Sequence, residues 1–344
     1  MNRFAAVLRL VLLSAALAWM LTGPGVGQQV EPLSLDSHIP LPGVKGRIDH
    51  LSVDLNGQRL FVAAVDNHTL EVIDLKLGHR IQTITDLAEP QGVFYDASGN
   101  RLFVTCALDG VTKIFDGTTF QVLATAKFPD DADNVRYDSR NRNVIVGYAG
   151  AKRLRKRATG TGGLGFLDPE GKKIADIVID AHPESFQLEK TGTRLFVNVP
   201  DKKEIEVIEV PLHAVVSRWP IAQENNFPMA LDEAHHRLFV VSWYPPQLVV
   251  FETQNGRQIA TTEIAGPSDD LFFDSQHGRI YVLTSKNYIE VFQQKDPDHY
   301  ERIARYQTPP HTQTGLYVQE WGKLFAAVQR QGEQDAEVRV YQAH

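Results

Sequence analysis

The chain alternates short apolar runs with polar breaks, and long stretches of helical periodicity are absent. The segment "GNRLFVTCALDG" (99–110) shows the pattern: a polar turn, an apolar run, a polar break. Nearly the same phrase returns along the chain. "QRLFV" ends at Val62, "NRLFV" at Val104, "TRLFV" at Val197, "HRLFV" at Val240 and "GRIYV" at Val282. "RNVIV" ending at Val146 and "GKLFA" ending at Ala326 are weaker copies. Their first positions fall at 59, 101, 143, 194, 237, 279 and 323, so the intervals are 42 to 44 residues apart from one of 51. Seven copies at such a period mark a propeller or solenoid array.

Each copy has one internal plan. A first apolar strand ends in an acid, as in "LSVD", "GVFYD", "NVRYD", "FQLE", "MALD" and "LFFD". A four-residue turn leads to the RLFV strand, then come a third strand such as "TLEVIDL", "IEVIEV" or "YIEVF", and a fourth such as "HRIQTI". β-branched and aromatic residues with partial alternation between turn residues predict strands. The fold class is therefore all-β, a seven-bladed β-propeller with four antiparallel strands per blade. The seventh copy stops at His344 without a fourth strand, and an orphan segment, "EPLSLDSHIPL" (31–41), precedes the first copy. An N-terminal strand completing the last blade would close the ring and cover an edge prone to aggregation.

With "RLFV…ID" units at about 42-residue spacing, the chain resembles the YVTN-repeat β-propellers, including YncE-like exported bacterial proteins, over residues 30–344. The resemblance implies the architecture. It leaves activity open, because the family is similar in fold to lactonases and a streptogramin lyase while many members have no assigned reaction.

Composition adds limits. Hydrophobic residues are 43% of 344, enough for a large core, and the net charge of −7 argues against a general nucleic-acid binder. Arg3 and Arg9, an apolar run over 10–21 and small residues to Gly27 read as a secretory signal peptide over 1–27, cut before Gln28. A retained membrane anchor is the alternative. Residues 30–344 then form one domain, expected to be a periplasmic or secreted monomer with no transmembrane span after cleavage. Cys106 stands alone and cannot make an internal disulfide.

In a propeller the segment before strand one and the loop between strands two and three share a face, here called the top, where loop ends converge on a funnel. Counting five residues back from each strand-one acid selects Asp49, Gln91, Asp133, Glu184, Phe227 and Asp269, with Thr314 in the seventh copy. The next ring is His50, Gly92, Asn134, Ser185, Pro228, Asp270 and Gly315. Clustered carboxylates call for a cation, a basic ligand or raised pKa values. Asp49, Asp133, Glu184 and Asp269 are the metal candidates, for Ca²⁺ or another divalent cation. A solvated acidic funnel whose side chains cap strand ends is the other outcome. His50 is the candidate acid–base residue.

The third copy carries an enlarged loop, "GYAGAKRLRKRATGTGGLG", with Lys152, Arg153, Arg155, Lys156 and Arg157 on the same face. It would pair with the acidic ring, present cations to a polyanion or protein partner, or stay solvated. Its "GTGGLG" matches a dinucleotide fingerprint but lacks the strand before and the helix after. Trp243 and Tyr244 would stack on a ligand or pack between blades. Asp180, His182 and Ser185 lie too close in sequence to expect a triad. His235 and His236 fall in a bottom-face turn. The leading expectation is an exported module binding a small molecule or partner through the top funnel, with no reaction assigned. The alternative is a lactonase-like hydrolase or lyase with a divalent metal in the funnel.

Overall fold

The computed structural model describes residues 31–150, the backbone at 153–154 and 157–158, and residues 160–344. The signal-peptide expectation lies outside the described residues. Residues 32–344 form one unit. Among the described residues, seven four-stranded antiparallel sheets and one two-stranded hairpin make it up. Six are built from consecutive strands that start at Ile48, Pro90, Asp130, Phe186, Glu224 and Asp270. They are blades 1 to 6. The seventh is composite. Its strands Thr314–Val318, Lys323–Val328 and Ala336–Ala343 are joined by Leu33–Leu41, which pairs antiparallel with the last of them, from Leu33 opposite Ala343 to Leu41 opposite Ala336. Closure of the ring by the N-terminal strand is as expected.

The repeated RLFV phrase is explained by burial on both faces of the second strand. Successive side chains of a strand point to opposite sides. Leu60 and Val62 join the layer shared with blade 7, whereas Phe61 joins the layer shared with blade 2. Leu102 and Val104 likewise face blade 1, and Phe103 faces blade 3. Leu238 and Val240 face blade 4, and Phe239 faces blade 6. The core is thus seven inter-blade layers, each binding two neighbouring sheets, and a strand buried on both sides reads as a continuous apolar run. Burying each such Phe is worth about 1.5–3 kcal/mol.

The acid that ends strand one closes the turn after it. Asp54 accepts from the Gly57 amide (2.9 Å), Asp96 from Ser98 (2.9 Å) and Asp138 from Arg140 (3.1 Å). In blade 5 Asp232 takes the imidazole of His235 at 2.8 Å, so that histidine serves the bottom-face turn. The segment "GTGGLG" is accounted for by packing. Gly162–Leu167 is the third strand of blade 3, and a Cβ at Gly165 would lie 2.2 Å from the Phe128 ring. No helix follows it.

Candidate functional site

The first strands of the blades line the axis. In blade 7, Val318 pairs with Lys323 as Asp54 pairs with Arg59, so Val318 takes the place of the strand-one acid. The axial residue of that blade is therefore Gln313, five positions earlier. The sequence count anchored on Gln319 runs one residue late, at Thr314 and Gly315. A strand-end valine in place of an acid is why. The corrected ring, Asp49, Gln91, Asp133, Glu184, Phe227, Asp269 and Gln313, lines one narrow cavity of about 140 Å³, together with His50 and Asn134. Above it, a funnel of about 520 Å³ shares Arg47, Gln91, Asp133, Glu184, Phe227 and Trp243 with the neck, and adds Glu89, Asp131 and His182.

Arg47 lies two positions before Asp49, on the same side of the chain. Its Nη2 donates to Asp49 Oδ2 (2.7 Å) and to Gln91 Oε1 across the blade boundary. Gln91 in turn donates to Asp131 Oδ1 at 3.3 Å. His50 sits between two acids, with Nδ1 3.3 Å from Asp270 Oδ1 and Nε2 3.7 Å from Asp49 Oδ1. Asp270 also accepts from the Gly315 amide at 2.9 Å. Gln313 donates to Asp269 Oδ2. His182 Nδ1 stands 3.5 Å from Glu184 Oε1.

This crowding moves the protonation equilibria. Burial first and then the neighbouring Asp49 raise Asp133 and Asp269 to about 7, against the opposing pull of His50 and Arg47. Burial, with Asp133 and Asp131, also holds Glu184 well above the carboxylate range. For His50, burial opposes charge, but Asp270 and Asp49 outweigh it and raise the imidazole to about 10. Asp49 stabilises the Arg47 cation against burial. Near neutral pH the neck thus holds two fixed cations and carboxyls poised to lose protons. Among the described residues, Asp133 Oδ1 and Asn134 Oδ1 are buried without a hydrogen-bond partner, and Asn134 is only 4% exposed. Unsatisfied buried acceptors are costly and call for a donor. Among the described residues no group of three or more His, Cys, Asp or Glu side chains is arranged to hold a metal ion.

The aromatic candidates separate. Trp243 stacks on Phe227 with ring centres 4.1 Å apart and planes at 9°, and its indole N–H donates to Ser268 O (2.9 Å). The pair forms one wall of funnel and neck. Tyr244, the next residue on the strand, is 57% exposed and lines neither cavity, because alternation carries it to the other side. Asp180, His182 and Ser185 form no triad: His182 faces Glu184, and Ser185 Oγ lies 3.4 Å from Arg136 Nη2. The enlarged loop leaves blade 3 at Ala149, opposite Asp130, and Arg153–Leu154 pairs with Arg157–Ala158. Lys152, Arg155 and Lys156 lie outside the described residues.

The fold and site define a seven-bladed β-propeller with an acidic axial funnel. Among solved structures, it is similar to a chain in the crystal structure of the mitotic checkpoint complex, at 11% identity, TM-score 0.76 and full coverage of both chains. At that identity the likeness concerns the fold alone, and propellers host many unrelated functions. No family model and no curated protein matches the chain.

Proposed function

We propose that this protein is an exported binding module of the YVTN type whose top funnel takes a small organic cation. The observation that carries the reading is the neck itself. Carboxyls from four blades converge there, and two acceptor oxygens lack donors while Arg47 and His50 are already committed to Asp49 and Asp270. An ammonium or guanidinium head supplies donors and charge, and the flat Phe227–Trp243 wall suits the body behind it. Cation binding would drive protons off Asp133, Asp269 and Glu184, so affinity rises with pH through neutrality. The repeat pattern and the leader-like 1–27 segment support the family and export.

The test is calorimetric titration of the full chain with benzylamine in buffers of differing ionisation enthalpy, beside a parallel titration with calcium chloride. Saturable amine binding with proton release, weakened at least tenfold by Asp133→Asn, is the expected result. Absence of amine binding defeats the proposal, and stoichiometric calcium uptake in its place turns the reading to a metal site.

A further inference from the structure

Below the neck the axis widens into a second cavity of about 910 Å³ that opens toward the bottom face. Apolar side chains are more prominent in it than in the funnel, although His50, Lys190, Asp232, Glu233, Asp270 and Glu320 also line it. The axial residues two positions before each strand-one end are Ser52, Phe94, Arg136, Gln187, Ala230, Phe272 and Leu316, and all seven line it. The strands add Val53, Val93, Met229, Leu231, Leu271 and Tyr317 to the wall. Within the ring of seven, Arg136 is the only charged residue.

Arg136 is poorly provided for. Nη1 donates to the backbone oxygen of Val135 (2.8 Å), and Nη2 lies 3.4 Å from Ser185 Oγ. The guanidinium rests over Phe186, 5.7 Å from the ring centre. A guanidinium carries five N–H donors in a planar fork. Among the described residues none of them meets a carboxylate within ion-pair distance, in contrast to Arg47, Arg59, Arg80 and Arg194. Burial disfavours its charge, and only the longer-range fields of Asp270 and Asp133 oppose that effect. Of the four acids that line the cavity, Asp270 is held by His50 and the Gly315 amide, Asp232 by His235 and Gln294, and Glu233 by the Lys190 amide, while Glu320 is exposed at the mouth. A half-satisfied cation among the apolar axial side chains Phe94, Ala230, Phe272 and Leu316, in a chamber of ligand-site size, is the counterpart of an anionic head with an aliphatic body.

We propose that the lower chamber is a second ligand site, for an aliphatic carboxylate whose head engages Arg136 and whose chain lies against Phe94, Phe272 and Leu316. It is independent of the funnel reading, since none of these four residues lines the funnel or the neck.

The experiment is calorimetric titration of the full chain with octanoate, with octan-1-ol and octylamine as head-group controls. Octanoate should bind saturably at one site, more tightly than either control. Arg136→Gln should weaken octanoate about tenfold or more, as expected for a lost charge-assisted contact, and leave octanol binding unchanged. Leu316→Asp, which keeps the guanidinium but sets a competing carboxylate on the wall proposed for the aliphatic chain, should weaken octanoate about tenfold or more and decides the matter if Arg136→Gln fails to fold. No saturable octanoate binding overturns the proposal. So does octylamine binding as tightly as octanoate, or unchanged octanoate affinity in a folded Arg136→Gln protein.

Discussion

Two sets of buried carboxylates in this molecule are treated in opposite ways. Glu71, Glu206 and Glu290 occupy the same place in blades 1, 4 and 6, opposite the valine of the RLFV phrase, and are fully buried. Arginines of the fourth strand serve them. Glu290 accepts from Arg302 (3.0 Å), from Arg305 (2.6 Å) and from the Ala265 amide (2.6 Å). Glu71 accepts from Arg80 (2.9 Å) and Thr83 (2.7 Å). Glu206 has Arg218 at 3.0 Å on one oxygen and nothing on the other, and burial raises its pKa. The axial carboxyls differ. Arg47 and His50 attend Asp49 and Asp270, while Asp133, Glu184 and Asp269 are held neutral in part by burial and mutual repulsion. The fold thus supplies arginines to the acids between blades, whereas on the axis Asp269 is served by a neutral amide and Asp133 keeps one oxygen without a donor among the described residues.

Opening the ring breaks this contrast most severely, because both sets depend on closure. Deleting residues 31–41 removes buried Leu33, Ile39 and Leu41 and bares the edge of Ala336–Ala343. At about 1.5–3 kcal/mol for each apolar side chain, a fall of roughly 10 °C or more in melting temperature, or insolubility, should follow. A truncated chain that melts like the full protein would refute closure.

Next in size is Glu290→Ala. It strands two arginines beside a buried site and should cost about 3 kcal/mol in chemical denaturation, at the low end for a broken buried pair because both arginines reach solvent. Benzylamine affinity should not change. A loss of binding without loss of stability would erase the distinction between the two sets.

Asp133→Asn should act in the opposite direction on stability. A carboxyl whose folded pKa is raised to about 7 gives stability that is complete below its unfolded value near 4 and is lost as pH climbs through 7. The native protein should therefore weaken between pH 4 and 7. The variant should show a flatter profile and melt roughly 2 °C higher at pH 8, with amine binding impaired. A variant less stable than the native protein at pH 8 would make Asp133 a structural acid like Glu290.

The smallest effects sharpen the aromatic wall. Trp243→Ala should weaken benzylamine several-fold, since stacked pairs contribute about 0.5–1.5 kcal/mol beyond burial. Tyr244→Ala should change neither binding nor melting beyond about 0.5 kcal/mol. Equal effects from the two would place the ligand outside the funnel.

Much of this was legible in the residue order. The RLFV period located every blade, and the acid at the end of strand one set the axial count correctly in six of them. It failed in blade 7, where Val318 replaces the acid. Arg47 was overlooked, although its place two residues before Asp49 put it on the same side of the strand. Arg136 lay in plain view inside "NVRYD", but nothing local distinguishes an arginine on an axis from one on a surface. Trp243 and Tyr244 were equal candidates until alternation and the Phe227 ring separated them.

The chain order alone determined seven sheets of four strands and the composite last blade, because strand alternation, turn acids and apolar runs act over a few neighbouring residues and repeat. Only the closed tertiary structure decided which side chains meet on the axis and which acids go without donors. Those residues lie about 42 positions apart and come together through the geometry of the ring, where a shift of one residue in a single strand exchanges a glutamine for a threonine at the centre.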